Sequence, residues 1–292
     1  MQENHLVTVI CTCFNHQDFV IESIKSVLNQ THKNIQLIVV DDFSQDNSVL
    51  VIEEFLKLNT EILFIKNKQN IGVTKSFNNA MTFAKGIYFV DLACDDVLLP
   101  NCIENQLSVF YNSKFQNLAI VYGNAAFISE KGKHIEYYFA VDENLKTIEL
   151  PKSGDIYEDV ISERTVICSV TAMISKYYFD KLNGYDESLI YEDLDFWIRA
   201  SRNFNIEFID EILVQKRIVN NSFHSNFKRK HNIIGKTTNR ILNKTYRLNK
   251  SKKENLILKN RVMIEIKTSV KTKNFILFYK NGLLWLKLWI NS

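Results

Sequence analysis

The feature that most constrains the fold is the alternation, over the first hundred residues, of short apolar runs with amphipathic segments. In chain order, the runs and the segments between them are 6–12, 19–28, 35–40, 49–58, 62–65, 74–85 and 87–90. Strands that alternate with helices of about 10 to 12 residues predict βαβ units and a parallel sheet. Because the runs are continuously apolar, we expect both faces of the sheet to be buried.

From about residue 101 this rhythm changes. In chain order, the sequence predicts a helix over 102–111, a strand over 118–121, a polar and less regular stretch to 162, and helices over 176–182 and 191–202. We therefore predict one α/β domain over residues 1–217, with two halves that divide near residue 100. Residues 218–292 are predicted to form a basic, amphipathic, helical tail.

The net charge of +3 conceals a strong asymmetry. Residues 1–214 contain 17 Lys and Arg against 31 Asp and Glu, whereas residues 215–292 contain 19 Lys and Arg against two acidic residues. We expect the acidic region to hold the chemistry and the basic region to meet an anionic partner. The five cysteines lack paired CxxC spacing, which is typical of reduced thiols in a cytosolic protein.

Asp95 and Asp96 follow directly after an apolar strand. Adjacent carboxylates are costly to bury unless a cation or hydrogen-bond donors compensate them, and the carboxyl ends of strands are where open α/β sheets bind ligands. The favoured interpretation is a hard divalent ion that holds a phosphorylated ligand. The alternative is a solvated turn with a helix-capping Asp before Pro100.

Asp41 and Asp42 end the second predicted strand. A carboxylate at this position can accept the imide N–H of a uracil or the hydroxyls of a ribose, and Phe14, after the first strand, can stack on a base. The alternative for the aspartates is strand-end turn chemistry with an Asp-x-x-Ser pattern. The alternative for Phe14 is ordinary packing in the core.

Two acidic clusters lie in the second half of the predicted domain. Residues 184–187 (Gly-Tyr-Asp-Glu) are expected to form a turn after a helix, with the glycine at the C′ position. Glu192 and Asp193 begin the last helix of the domain, where they either interact with its dipole or present a general base. Asp195 and Arg199 are four residues apart, which predicts a surface ion pair.

The sequence has no glycine-rich phosphate loop of the GxGxxG or GxxxxGK[ST] type. This absence argues against a dinucleotide oxidoreductase and a P-loop NTPase. A metal ion is then the obvious means of holding a diphosphate.

In series, five segments resemble the family 2 glycosyltransferases: residues 7–15, 37–44, 70–73, 95–96 and 184–193. This resemblance covers about residues 6–217 and implies a GT-A fold, with a Rossmann-like, mixed, mainly parallel sheet flanked by helices. It also implies a metal-dependent, inverting transfer of a hexosyl-type sugar from a nucleotide-diphosphate donor. Residues 1–100 are then the nucleotide-sugar-binding half and 101–217 the acceptor half.

The resemblance also implies roles for individual residues. Asp95 corresponds to the metal-coordinating aspartate, for Mn²⁺ or Mg²⁺, and Asp193 to the catalytic base, with Glu192 beside it. The implied donor-binding set is Thr12, Phe14, Asp41, Asp42, Lys75 and Asp96.

The chain departs from the family pattern at two places. Ala93 replaces the first acid of the DxD motif, and Asp91, two residues earlier, is expected to point differently. The Tyr-Arg-x-His segment appears as residues 216–219, with Val219 in place of the histidine and His224 as the substitute that we consider.

The tail combines Lys and Arg with Trp, Tyr and Leu, as at residues 228–230, 271–279 and 283–290. This composition suits a helix at an anionic membrane interface. The alternative is a helical extension that packs on the protein or forms an oligomer contact. We expect no nucleic-acid partner, no secretory signal at the start and no transmembrane span. The expected location is the cytoplasm, at the inner face of the cell membrane.

The resemblance thus implies a glycosyltransferase that uses a UDP-sugar and a glycan or lipid-linked saccharide acceptor, in bacterial surface polysaccharide synthesis. Two alternatives stay open. Ala93 and Val219 also suit a non-catalytic nucleotide-sugar-binding protein, and the same carboxylates suit a metal-dependent phosphohydrolase.

Overall fold

A computed structural model describes residues 5–163, 167–219 and 231–291 of the chain. The chain forms two compact units. The sheet unit comprises the described residues of 1–154, 167–184 and 205–219. The helical unit comprises those of 155–166, 185–204 and 220–292. His224 and the basic cluster at 228–230 lie outside the described residues.

The sheet of the sheet unit has nine strands within the described part of the chain. They are β1 (Val7–Cys13), β2 (Ile35–Asp41), β3 (Leu63–Lys66), β4 (Tyr88–Ala93), β5 (Val97–Leu98), β6 (Leu118–Ser129), β7 (His134–Tyr137), β8 (Met173–Ser175) and β9 (Asn205–Ile218). Their order is β3-β2-β1-β4-β8-β6-β9-β5, and β7 pairs with β6. The sheet is mixed, as predicted, because β8 is antiparallel to both β4 and β6.

The first four strands form the parallel half of the sheet. Every residue of β1 except Thr12 is buried, which confirms the expectation from its continuous apolar run. β3, in contrast, is a partly exposed edge strand. β1 lies between β2 and β4, so the chain leaves β1 in one direction for β2 and β3 and returns on its other side as β4. This reversal opens a crevice at the carboxyl ends of the strands.

In the described residues, the sheet unit contains a 3-10 helix (Ser169–Thr171) and five α-helices: α1 (Val20–Leu28), α2 (Ser48–Leu56), α3 (Val73–Met81), α4 (Cys102–Asn112) and α6 (Lys176–Lys181). α1 shows why they form, since Val20, Ile24 and Val27 recur at helical spacing and are all buried. The predicted helix over 74–85 ends earlier, at Met81. The predicted strand over 87–90 extends to Ala93 as β4. The other predicted elements of the first hundred residues are confirmed to within two residues at each end.

The antiparallel part of the sheet is where the predictions from sequence fall short. The predicted strand over 118–121 extends to Ser129 as β6, and β9, which is 14 residues long, was not predicted. Eight of the 14 residues in β9 are only partly buried. A strand of this kind lacks the apolar run that marks a fully buried strand.

The helical unit contains α5 (Tyr157–Ile161), α7 (Asp193–Asn203), α8 (His231–Leu248), α9 (Lys252–Lys271) and α10 (Phe275–Ile290). The core beneath the last three helices consists of Leu242, Leu258, Val262, Leu284 and Leu288. The predicted helical extension is therefore present. It shares its unit with residues 155–163 and 185–204, which the sequence analysis assigned to the catalytic domain, because α5 and α7 pack against α9 and α8. No helix in the described residues has both the length and the apolarity to cross a bilayer.

Candidate active site

The crevice of the sheet unit is built around the carboxyl ends of β1 and β4. Thr12 and Ala93 are register partners on these neighbouring parallel strands, and both are half-buried. Asp95 follows two residues later in a turn and is also half-buried. The predicted residues Thr12 and Asp95 are therefore brought to one edge of the sheet.

One expectation about this strand is wrong. Asp91 and Ala93 both belong to β4, whose residues alternate between half-buried and buried from Val90 onward. Residues two apart in a strand point to the same face. Asp91 therefore points to the same face of the sheet as Ala93, two residues further from the carboxyl end of the strand.

The loops after β1 and β2 form a single cross-linked wall. The backbone N–H of Asn15 donates to Ser44 Oγ at 2.9 Å, and the N–H of Gln45 donates back to Asn15 Oδ1 at 2.7 Å. The N–H of His16 donates to Ser48 Oγ at 3.0 Å. Each bond joins the 14–19 loop to residues after β2, so the two loops can hold side chains at fixed positions.

Two phenylalanines are exposed on this wall. Phe14 is 42 % exposed, which rules out the core-packing alternative, and Phe43 is 44 % exposed. Phe43 has a φ of 66°, in a region that bulky residues rarely adopt. The sequence analysis missed Phe43. Its position directly after the aspartate pair, in the same place relative to β2 as Phe14 relative to β1, was the available signal.

Asp41 and Asp42 are both buried, and they have different partners. Asp41 accepts hydrogen bonds from the backbone and hydroxyl of Ser44, which is the Asp-x-x-Ser turn of the alternative interpretation. Asp42 accepts from the N–H groups of Ile71 and Gly72 and from the amide of Asn67, each at 2.9 Å. Gly72, with a φ of 88°, turns its N–H toward this carboxylate. Asp42 thus ties the 67–72 loop to the end of β2.

Asp95 and Asp96 have different environments in the structure. Asp96 is buried, its Oδ1 accepts the backbone N–H of Arg217 at 2.7 Å, and its Oδ2 lies 3.8 Å from Lys216 Nζ. Burial raises the pKa of Asp96 to about 7, although Lys216 acts in the opposite direction. The compensation that two adjacent carboxylates require therefore comes, for Asp96, from the protein itself. Asp95 is the member of the pair that is half-exposed.

Arg217 is the anchor of this turn. Its side chain donates to the backbone carbonyls of Asp95, Ser129 and Glu130 and to the carboxylate of Glu22. The buried guanidinium also lies over the ring of Phe19, 4.8 Å from its centroid. A guanidinium with its donors used in this way holds the backbone around Asp95 in place.

The remaining predicted donor residue, Lys75, is exposed on α3. Val219, at the end of the 216–219 segment, is half-buried.

Asp95 is a partly exposed carboxylate at this edge of the sheet. Among the described residues, no cluster of three or more His, Cys, Asp or Glu side chains could hold a metal. Mg²⁺ and Mn²⁺ sites that use one carboxylate, water and ligand phosphates do not need such a cluster. Asp95, half-exposed and on an anchored turn, fits that type of site.

A separate groove of about 700 Å³ lies at the other edge of the sheet. It is lined by residues at the amino ends of β2 and β3, among them Leu37 and Leu63, by Phe83 after α3, and by none of the predicted site residues. The groove therefore lies away from the carboxyl ends of the strands, where open α/β sheets bind ligands.

In the helical unit, Glu192 and Asp193 stand at the start of α7. Glu192 is the N-cap residue and Asp193 the first residue of the helix, and both are half-buried. Asp193 Oδ1 accepts the backbone N–H of Leu194 at 2.7 Å. This position leaves both roles considered above, dipole partner and general base, compatible with the geometry.

Asp195 is part of a buried network, which corrects the prediction of a surface ion pair. Its Oδ2 accepts from Arg199 Nε at 2.7 Å, so the predicted partner is present. Its side chain is only 2 % exposed, however, and its Oδ1 pairs with Lys244 of α8. The first turn of α7 faces α8 rather than solvent at this point.

The sequence of the chain matches a known family. The profile described as "Glycosyl transferase family 2" matches residues 8–182. The chain is 31 % identical over 219 residues to the glycosyltransferase MJ1057 of Methanocaldococcus jannaschii, which covers 74 % of this chain and 71 % of that protein. It is 25 % identical to TuaG of Bacillus subtilis, a putative teichuronic acid biosynthesis glycosyltransferase, over 76 % of this chain and 82 % of that protein.

Solved structures show the same fold. Residues 1–349 of Staphylococcus aureus TarS, in complex with UDP-GlcNAc, align over 87 % of this chain and 70 % of that one, with a TM-score of 0.67 and 15 % identity. The mannosyltransferase PcManGT of Pyrobaculum calidifontis, in complex with GDP-Man and Mn²⁺, aligns over 95 % of this chain and 73 % of that one, with a TM-score of 0.59 and 12 % identity. The predicted GT-A fold is thus confirmed, and the chain belongs to glycosyl transferase family 2.

Proposed function

We propose that this protein transfers a sugar from a UDP-sugar, with inversion at the anomeric carbon, to a glycan or lipid-linked saccharide. The observation that carries the proposal is that Thr12 and Asp95 lie at the same edge of the sheet, in a chain that belongs to glycosyl transferase family 2. Phe14 follows directly after β1 and exposes its ring. The exposed ring suits stacking on a base, and Asp95, through a metal ion, suits a diphosphate.

The proposed reaction is a single displacement. Asp193 accepts the proton of the acceptor hydroxyl while that oxygen attacks the anomeric carbon from the face opposite to the diphosphate. The new carbon–oxygen bond forms as the bond to the diphosphate breaks, and the electron pair leaves with the diphosphate. General-base assistance of this kind is typically worth about 10²- to 10⁴-fold in rate. Glu192 is the neighbouring carboxylate that helps to orient the acceptor.

On the donor side, Asp95 would hold a Mn²⁺ or Mg²⁺ ion, which neutralises charge on the departing diphosphate when bound. Phe14 and Phe43 offer ring faces for stacking on the base. Asp42 acts by fixing the 67–72 loop, and Asp96 by fixing β5 to β9, so both support the site through the backbone. Asp41, through Ser44, fixes the wall loop. Lys75 is the exposed cation of α3 that can meet a donor phosphate.

The comparisons support this donor class and a pathway type. UDP-GlcNAc is bound by TarS and GDP-Man by PcManGT, and TuaG is assigned to teichuronic acid biosynthesis. We infer from them a nucleotide-diphosphate sugar donor for this chain, and synthesis of a bacterial surface polysaccharide as the setting.

The test is a kinetic comparison of Asp193→Asn and Asp95→Ala with the wild type. Release of UDP or GDP from a panel of nucleotide sugars with Mn²⁺ identifies the donor, and calorimetry with UDP measures binding. We expect Asp193→Asn to lose at least about 100-fold in turnover with unchanged UDP affinity. We expect Asp95→Ala to lose the Mn²⁺-dependent part of UDP binding. Glu61→Gln, an exposed residue before β3, is the charge-matched control.

Three outcomes contradict the proposal. UDP binding without any turnover favours the non-catalytic binder. Phosphate release from simple esters without a sugar acceptor favours the phosphohydrolase. Wild-type turnover in Asp193→Asn removes Asp193 from the role of base.

The proposed partner of the helical unit is the anionic inner face of the cell membrane. α10 buries one face through Leu277, Asn281, Leu284 and Leu288. Large apolar side chains are exposed on the rest of the helix: Phe275, Ile276, Phe278, Tyr279, Leu283, Leu286, Trp289 and Ile290. Lys280 and Lys287, on the same helix, are also exposed. An apolar face bordered by lysines suits the interface of a membrane with anionic lipids.

Flotation tests this partner with vesicles of phosphatidylcholine, with or without phosphatidylglycerol. We expect the wild type to float with the anionic vesicles, and the triple substitution Tyr279→Ser, Leu286→Ser, Ile290→Ser to abolish flotation. The matched control is the double substitution Leu256→Ser, Ile264→Ser, at two exposed positions of α9. A wild type that does not float, or that forms a dimer which the triple substitution dissociates, overturns the membrane assignment in favour of no partner or a second copy.

A further inference from the structure

Helix α8 contacts the 186–195 segment, which carries the proposed base, at four positions: Asp186, Ser188, Tyr191 and Asp195. We propose that α8 positions this base. The helical tail then contributes to catalysis and is not only an extension or a membrane anchor. The inference rests on the proposed function, because it concerns the geometry of Asp193.

Lys244 is the central contact. Its ammonium lies 2.9 Å from Asp186 Oδ2 and also pairs with Asp195 Oδ1. These two residues are the first and the last of the segment, so one lysine of α8 binds both of its ends. Asp195 is buried, which makes its attraction to Lys244 stronger than that of an exposed pair.

Arg240 and Thr238 add contacts between these ends. Arg240, one helical turn before Lys244, donates to the backbone carbonyl and to the hydroxyl of Ser188, both at 2.9 Å. The hydroxyls of Thr238 and Tyr191 are 2.6 Å apart, and the Tyr191 side chain is largely buried. Tyr191 directly precedes Glu192 and Asp193 in the chain.

The spacing of these contacts has a direct consequence for the base. Glu192 and Asp193 lie between Tyr191 and Asp195, which both contact α8. Helix α8 therefore holds the backbone on both sides of these two residues. A general base works only if its carboxylate oxygen stays within hydrogen-bond reach of the acceptor hydroxyl. Misplacement by about 1 Å can cost about 10²-fold in rate. Lys244 is therefore a positioning residue for Asp193, without contact to substrate.

The experiment compares Lys244→Met with Lys244→Arg and with Lys236→Met. Lys236 is an exposed lysine of the same helix, so its substitution removes the same charge at a position away from the segment. All variants are assayed at a temperature at which their unfolding curves show them fully folded. The readouts are kcat and the donor KM for the nucleotide sugar that the wild type turns over best. Amide hydrogen exchange over residues 187–194 is measured in parallel.

For Lys244→Met we expect kcat to fall at least about tenfold, with a donor KM within about twofold of the wild-type value. Exchange over 187–194 should accelerate, while α9 and α10 keep their protection. Lys244→Arg should recover most of kcat, because a guanidinium can bridge the same carboxylates. Lys236→Met should match the wild type in both measurements.

Other outcomes overturn the inference. A wild-type kcat in Lys244→Met, or an equal loss in Lys236→Met, shows that α8 does not position the base. Unchanged exchange over 187–194 shows that α8 does not hold the segment. If the wild type turns over no nucleotide sugar, the proposed function fails, and the exchange measurement still decides whether Lys244 orders the segment.

Discussion

The aspartates that end β2 in the sheet unit and Asp195 in the helical unit are buried carboxylates that are stabilised in different ways. In the sheet unit, Asp41 and Asp42 are satisfied by backbone N–H groups and neutral side chains. In the helical unit, Asp195 pairs with Arg199 and Lys244. A carboxylate that is hydrogen-bonded to neutral donors keeps its negative charge, which can attract a cation. A carboxylate in an ion pair has its charge cancelled by its partner.

This difference changes the meaning of the charge asymmetry in the sequence. The basic surplus after residue 214 was taken to indicate an anionic partner. Part of it is used within the helical unit, where Lys244, Lys253 and Arg261 pair with Asp186, Glu158 and Glu163 from earlier in the chain. Among the described residues from the start of α9 onward, the exposed lysines that no such pair uses are Lys252, Lys267 and Lys271 on α9, Lys273 between the two helices, and Lys280 and Lys287 on α10.

The exception to the comparison, Arg217, predicts the largest effect. It is a buried cation in the sheet unit, and Arg217→Met removes the donors to three backbone carbonyls and to Glu22. We expect the free energy of unfolding to fall by about 3 kcal/mol, because buried acceptors lose their partners. Urea unfolding measures it. Arg247→Met, at an exposed position of α8, should change the free energy by less than about 0.5 kcal/mol.

The same variant separates a structural anchor from a ligand contact. If Arg217 acts through the turn at Asp95, Arg217→Lys should also lose stability, because an ammonium cannot reproduce the fork of contacts. Full stability in both variants, with reduced UDP affinity, would instead make Arg217 a residue of the donor site.

The parallel half of the sheet could be predicted because its signals are local. β1 and β2 are largely apolar runs, and the residues at and just beyond their carboxyl ends, Thr12 to Phe14 and Asp41 to Asp42, stand out by chemistry alone. Parallel strands bring their carboxyl ends to one edge, so sequence position was enough to gather these residues.

What could not be predicted depends on contacts between distant residues. Asp95 and Asp96 are adjacent in sequence and look equivalent, but only Asp96 accepts from the backbone of Arg217, 121 residues later. The four contacts between α8 and the 186–195 segment likewise join positions 47 to 58 residues apart. No periodicity within a window of the sequence records such pairs.

Asp42→Ala tests the neutral type of stabilisation in the sheet unit. Its removal leaves the N–H groups of Ile71 and Gly72 without their acceptor, so we expect a loss of about 2 kcal/mol in the free energy of unfolding. UDP affinity should fall as well, because the 67–72 loop is released. Urea unfolding and calorimetry are the measurements. Glu61→Ala should leave both unchanged, and a fully stable Asp42→Ala would mean that water replaces the carboxylate without cost.

Asp186 tests the charged type in the helical unit through its pH dependence. Burial raises the pKa of Asp186, but hydrogen bonds from Lys244 and Ser188 outweigh this effect and hold the pKa well below its usual range. A carboxyl with a lowered pKa in the folded state contributes stability above its unfolded pKa, about 3.9, and loses it as the pH falls. Because both side chains are partly exposed, we expect Asp186→Asn to cost about 1 kcal/mol at pH 7. Unfolding curves at a series of pH values should show the gap between wild type and variant narrowing below about pH 5. A gap that is constant with pH would assign the effect to packing instead.

The smallest expected signal comes from the thiols, which report on one of the two units alone. All five cysteines are buried and belong to the sheet unit. Burial raises the pKa of the Cys102 thiol to about 12 and that of Cys11 further, so little reactive thiolate exists at pH 8. We expect slow alkylation of the native protein and reaction of five thiols after denaturation. Because alkylation reports only the opening of the sheet unit, Arg217→Met should accelerate it, whereas Asp186→Asn should not. Equal acceleration by both variants would show that the two units open as one cooperative structure, and that their different ways of holding charge do not make them independent in stability.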